Sequence, residues 1–385
     1  MLVWLIVVTL VKLALASVWG WTNDIPQTLR HAEAFLAGRD HFSPWNVNPT
    51  YATIFPLGYY ALSCGAVLAA RATGWPFAFW IKVPAILADA VIAWLLWTAP
   101  RGGRRTALWY LVNPVTFLLS VYHGQFHTAA TAAAVLAVWA AARGRPGLSG
   151  LALGLAASVR QHFGLLILPL GLAVRPRWRS LLLCFALVAV LANLTLLGTY
   201  RKGIMTSPVW AYGAWGYGML LLQGPRLLAL LGCSGMVSVT EWVNHALQLH
   251  GPKLYWIWAA LFWGWIWRRH QRHQAPDLWR SALLFLLGLY AISPGFGVQW
   301  LIWVLPFWLV VNRREAIGYS VLAGLFLAGS YWQWNLNATY GVESITANLS
   351  RLQRADLIGV LLVGVCGLLT WLYCVRATWR LAWAH

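Results

Sequence analysis

Acidic residues are scarce in this sequence, with nine Asp and Glu among 385 residues against 28 Lys and Arg. The five cysteines show no CxxC or Cys/His spacing, so neither a disulfide framework nor a structural zinc site is expected. There is no Gly-rich phosphate loop or dinucleotide fingerprint, which argues against chemistry on a nucleotide sugar. Charged residues make up only 10% of the chain. That is too few for the polar surface of a soluble protein.

Apolar residues make up most of the chain: 60% are hydrophobic, and the mean hydropathy is +0.64. Apolar runs long enough to cross a bilayer recur from one end to the other, and no polar stretch could form a separate soluble domain. We therefore predict one all-α, polytopic membrane domain over residues 1–385. The net charge of +19 could suggest nucleic acid. Because Lys and Arg lie in short clusters between apolar runs, cytoplasmic loops explain them better, and no nucleic-acid partner is expected.

The basic clusters predict the topology, since neighbouring cytoplasmic loops must enclose an even number of crossings. They are RGGRR at 101–105, RGR at 143–145, RPRWR at 175–179, RRHQRH at 268–273, Arg313 with Arg314, and the run at 376–380. If segment 56–72 lies at the interface, about twelve crossings result, with both termini inside. If it spans, there are thirteen and the N-terminus is outside. The outer face then holds loops 21–75, 200–252 and 334–354. The predicted crossings include 106–122 and 253–267, and a polar tip at 293–299 joins two further crossings on the outer face.

The first outer loop is unusually polar, since residues 21–55 hold three of the nine carboxylates, Asp24, Glu33 and Asp40. Asp24 follows the first apolar segment directly. Residues 25–38 are predicted to form a short helix begun by Pro26. A carboxylate is thus expected at a membrane exit.

Ionisable groups within apolar segments need partners or a ligand, and Arg160, Lys82 and Asp89 are such groups. Lys82 and Asp89 lie seven positions apart on one helix face, where they serve structure as readily as function. Arg160, with Gln161 and His162, joins two half-length helices near the outer leaflet. A fixed cation there suits a lipid phosphate, and a snorkelling arginine is the alternative.

Two histidines, His123 and His127, flank Gly124-Gln125-Phe126 at another outer hairpin tip. Without a nearby carboxylate in sequence they indicate hydrogen bonding to a polar ligand, or to each other, rather than metal binding.

The order of several motifs resembles the GT-C superfamily of integral-membrane glycosyltransferases, which take a sugar from a polyprenyl-phosphate donor on the non-cytoplasmic face. The motifs are Asn23-Asp24-Ile25, PLGYY at 56–60, KVPAILADAVIAWLLW at 82–97, Asn113-Pro114 followed by HGQF at 123–126, and SPGFGVQWLIWVLPF at 293–307. The NP and GQF pair is similar to the hairpin of glucosyl- and mannosyltransferase branches. The last motif resembles the QYxxWxxPF helix of bacterial members and of the first GPI mannosyltransferase. The family's juxtamembrane helix agrees with the twelve-crossing topology.

The resemblance implies roles for individual residues. Asp24 matches the acid of the first loop, which acts as general base, and Arg160 with Arg201 and Lys202 would bind the donor phosphate. The substrate-binding residues implied or suggested by position are His31, His123, Gln125, His127, Gln161, His162, Gln299 and Trp300. Some relatives carry a metal-binding DxD where this chain has Asn23-Asp24-Ile25. No metal and no cofactor is therefore expected.

The expected function is inverting transfer of mannose, glucose or a pentose from a polyprenyl-phosphate donor to a lipid or glycan acceptor. The expected location is a bacterial inner membrane, with membrane lipids around the protein and the active site facing the periplasm or exterior. A transporter or flippase for a lipid-linked saccharide is the alternative, because polar hairpin tips at membrane depth also line substrate paths. That class typically shows inverted repeats, and the sequence has no such internal symmetry.

Overall fold

The computed structural model describes residues 1–20, 22, 24–38, 56–175, 177–190, 216–217, 236–272, 277–293, 295–340 and 362–383. Every extended regular element within these ranges is a helix, which confirms the all-α prediction. The α-helices are α1 Leu2–Val18, α2 Asp24–Leu36, α3 Leu57–Thr73, α4 Phe77–Trp80, α5 Val83–Thr98, α6 Arg104–Leu111, α7 Pro114–Phe117, α8 His127–Ala142, α9 Pro146–Val159, α10 Ile167–Ala173, α11 Trp178–Ala189, α12 Met236–Gln271, α13 Leu278–Ile292, α14 Leu301–Val311, α15 Arg313–Tyr340 and α16 Gly367–Trp383.

Short irregular helices adjoin four of these elements. They are the π-helix Leu118–His123 after α7, the 3₁₀ helices Gln161–Leu166 before α10 and Val298–Trp300 before α14, and the π-helix Leu362–Cys366 before α16. Three of them lie at hairpin tips that the sequence singles out as polar. A π-helix or 3₁₀ turn changes the direction of side chains locally, so these tips can aim several polar groups inward.

The Asn113-Pro114 motif divides a segment that the sequence analysis treated as one crossing, 106–122. The Asn113 side chain accepts a hydrogen bond from the Val115 N–H at 3.0 Å and so begins α7. Its Nδ2 donates to Ser320 Oγ on α15 at 2.7 Å. The break therefore also fastens α7 to a distant helix.

Two predicted outer loops are shorter than expected. Loop 200–252 was followed in the prediction by a helix over 253–267, but the backbone is already helical from residue 236. Likewise α15 extends to Tyr340, into predicted loop 334–354. The remainder of the first loop, apart from residues 216 and 217, and the remainder of the second lie outside the described residues.

The helices α2 and α3 form a packed pair. Ala32 on α2 is buried against Cys64 and Val67 on α3, and the rings of Phe35 and Tyr60 stack with centroids 4.8 Å apart. Helix α2 spans Asp24–Leu36, close to the predicted helix over 25–38. The residues between the two helices, 39–55, lie outside the described residues.

The basic segments meet at one end of the bundle, here called the arginine end. Arg143 Nη2 donates to the carbonyl of Thr98 at 2.8 Å, a Cβ built on Gly144 would lie 3.3 Å from Arg177 Nη2, and Arg175 Nη1 lies 3.3 Å from His270 Nε2. The remaining segments join through three further contacts: the ion pairs Arg101–Asp277 and Arg380–Glu315, and a hydrogen bond from Arg280 to the carbonyl of Leu381.

Two buried lysines attach α1 to the rest of the bundle. Lys82 and Asp89, which the sequence analysis considered together, have different partners. Lys12 Nζ lies 2.6 Å from Asp89 Oδ2 on α5, and the Tyr110 hydroxyl donates to Asp89 Oδ1 at 2.9 Å. Lys82 Nζ donates instead to the carbonyls of Trp19 at 2.8 Å and Gly20 at 2.9 Å. Both lysines therefore attach α1 to its neighbours.

Within the described ranges, two helical stretches are long and apolar enough to cross a membrane, Phe77–Thr98 and Leu362–Trp383. Seven shorter apolar helices of the described residues accompany them. Buried core helices of soluble proteins can meet the same criterion, so the exposure of the helix faces is the more informative observation.

Several helices expose continuous apolar stripes at helical spacing. The stripes are Leu87, Val91 and Trp94 on α5, Leu148, Leu151 and Leu155 on α9, and Leu183 and Leu187 on α11 with Val190 directly after it. Side chains at spacings of three, four and seven lie on one face of a helix. Soluble monomers rarely expose contiguous apolar surface on this scale.

Candidate functional site

The site is built around Asp24, the first residue of α2. The chain reaches it from the end of α1 through Gly20, which has φ +94°. A Cβ at Gly20 would lie 2.6 Å from Cα of Tyr122, so the connection passes directly against the π-helix. Only glycine fits this conformation and this approach.

The HGQ turn approaches the same place from the other side. Gly124 has φ +71° and ends the π-helix, and a Cβ there would lie 3.0 Å from Cγ of Lys82. The Thr22 hydroxyl donates to the carbonyl of His123 at 3.2 Å. Lys82 thus contacts both the segment that leads to Asp24 and the turn that carries Gln125.

One carboxylate oxygen of Asp24 faces two side chains of this turn. Gln125 Nε2 donates to Asp24 Oδ2 at 2.7 Å, and His123 Nε2 lies 3.2 Å from the same oxygen. The Asp24 side chain is 23% exposed, whereas His123 is fully buried. The carboxylate is therefore fixed by side chains of the HGQ turn and remains partly accessible from outside the protein.

The amide of Gln125 also reaches Arg160, which follows α9. Its Oε1 accepts from Arg160 Nη2 at 3.2 Å. Because Nε2 faces the carboxylate and Oε1 faces the guanidinium, both ends of the amide are satisfied in this orientation and would not be if it were flipped. A carboxylate, an amide and a buried guanidinium thus form one continuous chain, here called the Asp24–Gln125–Arg160 chain.

His127, the first residue of α8, connects Arg160 to α14. Arg160 Nε lies 3.0 Å from His127 Nε2, and Trp303 Nε1 lies 3.1 Å from His127 Nδ1. A neutral imidazole accepts a hydrogen bond at only one of its two nitrogens. Arg160 and Trp303 face different nitrogens, so only one of them can donate to the ring in a given tautomer. Both contacts favour the uncharged ring as an acceptor.

Aromatic rings line the site next to Arg160. The ring of His162 lies 4.9 Å from Trp300 and 5.3 Å from Trp303, and the two indoles stack with centroids 4.5 Å apart. The ring of Tyr59, on α3, lies 5.6 Å from Cζ of Arg160. Two 3₁₀ helices, Gln161–Leu166 and Val298–Trp300, bring His162 and Trp300 together.

The structure joins seven of the residues selected from the sequence through successive contacts: Asp24, His123, Gln125, His127, Arg160, His162 and Trp300. Three further candidates lie on the same segments as these residues. Half-buried His31 is seven positions along α2 from Asp24, Gln161 is half-buried, and the Gln299 side chain folds back over Gly297. Arg201 and Lys202 lie outside the described residues.

Sequence reasoning missed three contributors: Trp303, Tyr59 and Lys82 in its bridging role. Trp303 and Tyr59 belong to two motifs already named in the sequence analysis, WLIWVLPF and PLGYY. Membership of these motifs could therefore have identified both residues. Nothing in the sequence indicated that Lys82 contacts both chain segments. Within the described part of the chain, no group of three His, Cys, Asp or Glu side chains is arranged to hold a metal ion.

Comparison with protein-family models finds no match for this chain, and comparison with curated proteins finds none either.

Proposed function

We propose that this protein is an integral-membrane, inverting glycosyltransferase of the GT-C kind, which uses a polyprenyl-phosphate sugar. The Asp24–Gln125–Arg160 chain carries the proposal. It holds a partly exposed base and a buried cation at a fixed separation, set by the length of one amide side chain. Glycosyl transfer from a lipid phosphate needs these two charges, one for the acceptor hydroxyl and one for the leaving group.

The shape of the bundle supports membrane placement. Helix α8 runs from His127 at the site to the arginine end, and its 16 residues correspond to about 24 Å. That length is close to the hydrocarbon thickness of a bilayer, about 30 Å. Apolar stripes cover the helices between the two ends. The proposed topology has twelve crossings, with the arginine end in the cytoplasm and the site on the periplasmic or exterior side of a bacterial inner membrane.

Asp24 is the proposed general base. The acceptor hydroxyl transfers its proton to the carboxylate while its oxygen forms the new bond to C1 of the donor sugar. The bond between C1 and the phosphate oxygen breaks, and its electron pair leaves with the lipid phosphate, so the configuration at C1 inverts. A positioned base of this kind contributes roughly 10² to 10⁴ in rate.

Arg160 is the proposed partner of the leaving phosphate. Its guanidinium is buried, where a fixed charge acts more strongly than in water. The forked donors of arginine match phosphate oxygens, and contacts with Gln125 and His127 fix the plane of the fork. Arg201 and Lys202 are proposed to assist.

The remaining polar and aromatic groups are proposed to bind the sugars. His162 and Trp300 flank Arg160, so they are suited to the donor sugar, which is mannose, glucose or a pentose. His31 lies along α2 from the base and is suited to the acceptor, a lipid or a glycan. Gln161, Gln299 and the two histidines of the HGQFH turn complete the proposed substrate contacts.

The test is transfer of radiolabelled sugar from a panel of polyprenyl-phosphate sugars to membrane glycolipids, with EDTA present. We expect wild-type protein to release polyprenyl phosphate and Asp24→Asn to lose about 10²-fold or more of the rate. Glu33→Gln is the matched control, since Glu33 is an exposed carboxylate on the same helix, 3.8 Å from Arg71. Full activity of Asp24→Asn would refute the assignment of the base. No consumption of any donor would refute the enzyme class.

One observation favours a second candidate, a flippase for a lipid-linked saccharide. Helix α9 and the 3₁₀–α10 segment meet at Arg160 as two half-length helices, an arrangement that transporters use around substrates. Proteoliposomes loaded with a fluorescent lipid-linked saccharide distinguish the two. A flippase moves it between leaflets unchanged, whereas a transferase alters it chemically.

A further inference from the structure

Three basic segments converge at one place on the arginine end. They are residues 143–145 between α8 and α9, Arg175, Arg177 and Arg179 around the start of α11, and residues 268–272 at the end of α12, together called the basic junction. Arg177 reaches the turn at Gly144, and Arg175 Nη1 lies 3.3 Å from His270 Nε2. The three segments thus bring their arginines into one region, where like charges favour the binding of an anion.

The basic junction differs from two other arginines of this end, which form ion pairs with carboxylates. Arg101 pairs with Asp277 and Arg380 with Glu315. Among the described residues, no carboxylate forms an ion pair with an arginine of the basic junction. Eight arginines thus contribute positive charge at the junction.

Indole rings lie against the guanidinium groups of the junction. Cζ of Arg143 lies 4.2 Å from the ring centroid of Trp139, and Cζ of Arg269 lies 5.1 Å from that of Trp265. Cζ of Arg175 lies 6.0 Å from the ring centroid of Trp267, which is itself exposed. Tryptophan favours the headgroup level of a bilayer. In the proposed membrane placement, exposed Trp267 and the guanidinium group of Arg175 beside it therefore lie at the depth of the lipid phosphates.

We propose that the basic junction binds the phosphate headgroup of an anionic phospholipid. The inference rests on the membrane placement in the proposed function but not on the transfer chemistry. Arginine forks bind phosphate oxygens through paired hydrogen bonds, and the bilayer supplies phosphates at this depth.

The test uses the full-length protein in a neutral detergent, with lipid binding counted by native mass spectrometry and checked by thermal stability. The probes are phosphatidylglycerol, zwitterionic phosphatidylcholine and inorganic phosphate. We expect wild type to bind phosphatidylglycerol at least tenfold more tightly than phosphatidylcholine. Arg175→Gln with Arg177→Gln should lose this preference. The control is Arg313→Gln with Arg314→Gln, which removes the same amount of charge from exposed arginines beside Glu315. This control should keep the preference for phosphatidylglycerol.

Three outcomes would overturn the inference: no preference for phosphatidylglycerol in wild type, equal losses in both double variants, or full stabilisation by inorganic phosphate alone. If the glutamine variant of the junction does not fold, Arg175→Lys with Arg177→Lys keeps the charge and removes the forks. It should bind phosphatidylglycerol several-fold more weakly, and unchanged binding would refute the site. If the protein needs detergent but shows no lipid preference, this inference fails and the proposed function does not. If the protein is soluble without detergent, it is not a membrane protein, and the proposed function fails as well.

Discussion

Gln125 connects Asp24 to Arg160: its amide donates to the Asp24 carboxylate at 2.7 Å and accepts from the Arg160 guanidinium at 3.2 Å. The three residues come from three different parts of the chain, the start of α2, the HGQ turn and the end of α9. One uncharged side chain thus fixes the spacing between the two charged groups of the proposed reaction. Changes at Gln125 should therefore affect the site without removing either charge.

Gln125→Glu replaces the donor to Asp24 with a second carboxylate of the same size. Arg160 keeps an acceptor, but the two carboxylates repel unless they share a proton, and Asp24 then no longer acts as a free base. We expect sugar transfer to fall by about 10²-fold, measured with radiolabelled donor. Gln271→Glu, the same change at the exposed end of α12, should leave the rate unchanged. Wild-type activity in Gln125→Glu would contradict the role of the chain.

The buried Lys12–Asp89 pair predicts non-additive effects on stability. Removing one partner leaves an uncompensated charge in the apolar interior, so Lys12→Met should cost about 3–5 kcal/mol of the free energy of unfolding. Lys12→Met with Asp89→Asn removes both charges and should cost less than Lys12→Met alone. Unfolding in detergent across the double-mutant cycle measures this difference. Additive losses would show that the two residues do not interact.

Lys82→Met removes a cation that donates to backbone carbonyls at the end of α1. A hydrogen bond to a charged group contributes about 1.5–3 kcal/mol, so a loss of at least that size in the free energy of unfolding is expected. Because Lys82 also packs against Gly124, Asp24 and Gln125 should lose their alignment, and kcat should fall more than KM rises. Lys253→Met, at an exposed position of α12, is the control for loss of a lysine charge. A change in KM alone would argue against positioning.

Two glycines of α3 give a matched pair. A Cβ at Gly58 would lie 2.6 Å from the carbonyl oxygen of Ser158, two residues before Arg160, whereas nothing lies within 4 Å of a Cβ at Gly65. Gly58→Ala should displace the end of α9 and reduce transfer by about 10²-fold, since ångström-scale misplacement costs that much. Gly65→Ala should keep full activity and gain up to about 1 kcal/mol from helix propensity. Similar results for the two variants would contradict the close approach of α3 to α9.

Much of the local structure follows from short stretches of sequence. Pro26 near the start of α2 and Asn113-Pro114 at the start of α7 mark helix N-termini, because proline fits the first turn and the asparagine side chain caps the free N–H groups. The prediction was wrong for α12, which was expected to begin at 253, after Gly251-Pro252. Such a pair commonly marks a helix boundary, yet the backbone stays helical across it.

The sequence predicted which residues belong to the candidate site better than it predicted the contacts between them. Asp24, Gln125 and Arg160 were each selected from the sequence, but as a base, a substrate contact and a phosphate ligand with no link between them. Similarly, Lys12 was not paired with any residue, and Asp89 was compared with Lys82 because only their helix spacing was visible.

The sequence by itself determined the all-helical fold, the apolar composition, the spacing of the arginine clusters and the place of Asp24 at the end of the first apolar segment. These are properties of contiguous residues, set by backbone propensity and hydropathy. The tertiary structure alone decided that Lys12 pairs with Asp89, 77 positions away, and that Gln125 bonds to Asp24, 101 positions away. Such contacts depend on how helices pack, and packing is decided by the shapes of all the surrounding side chains together.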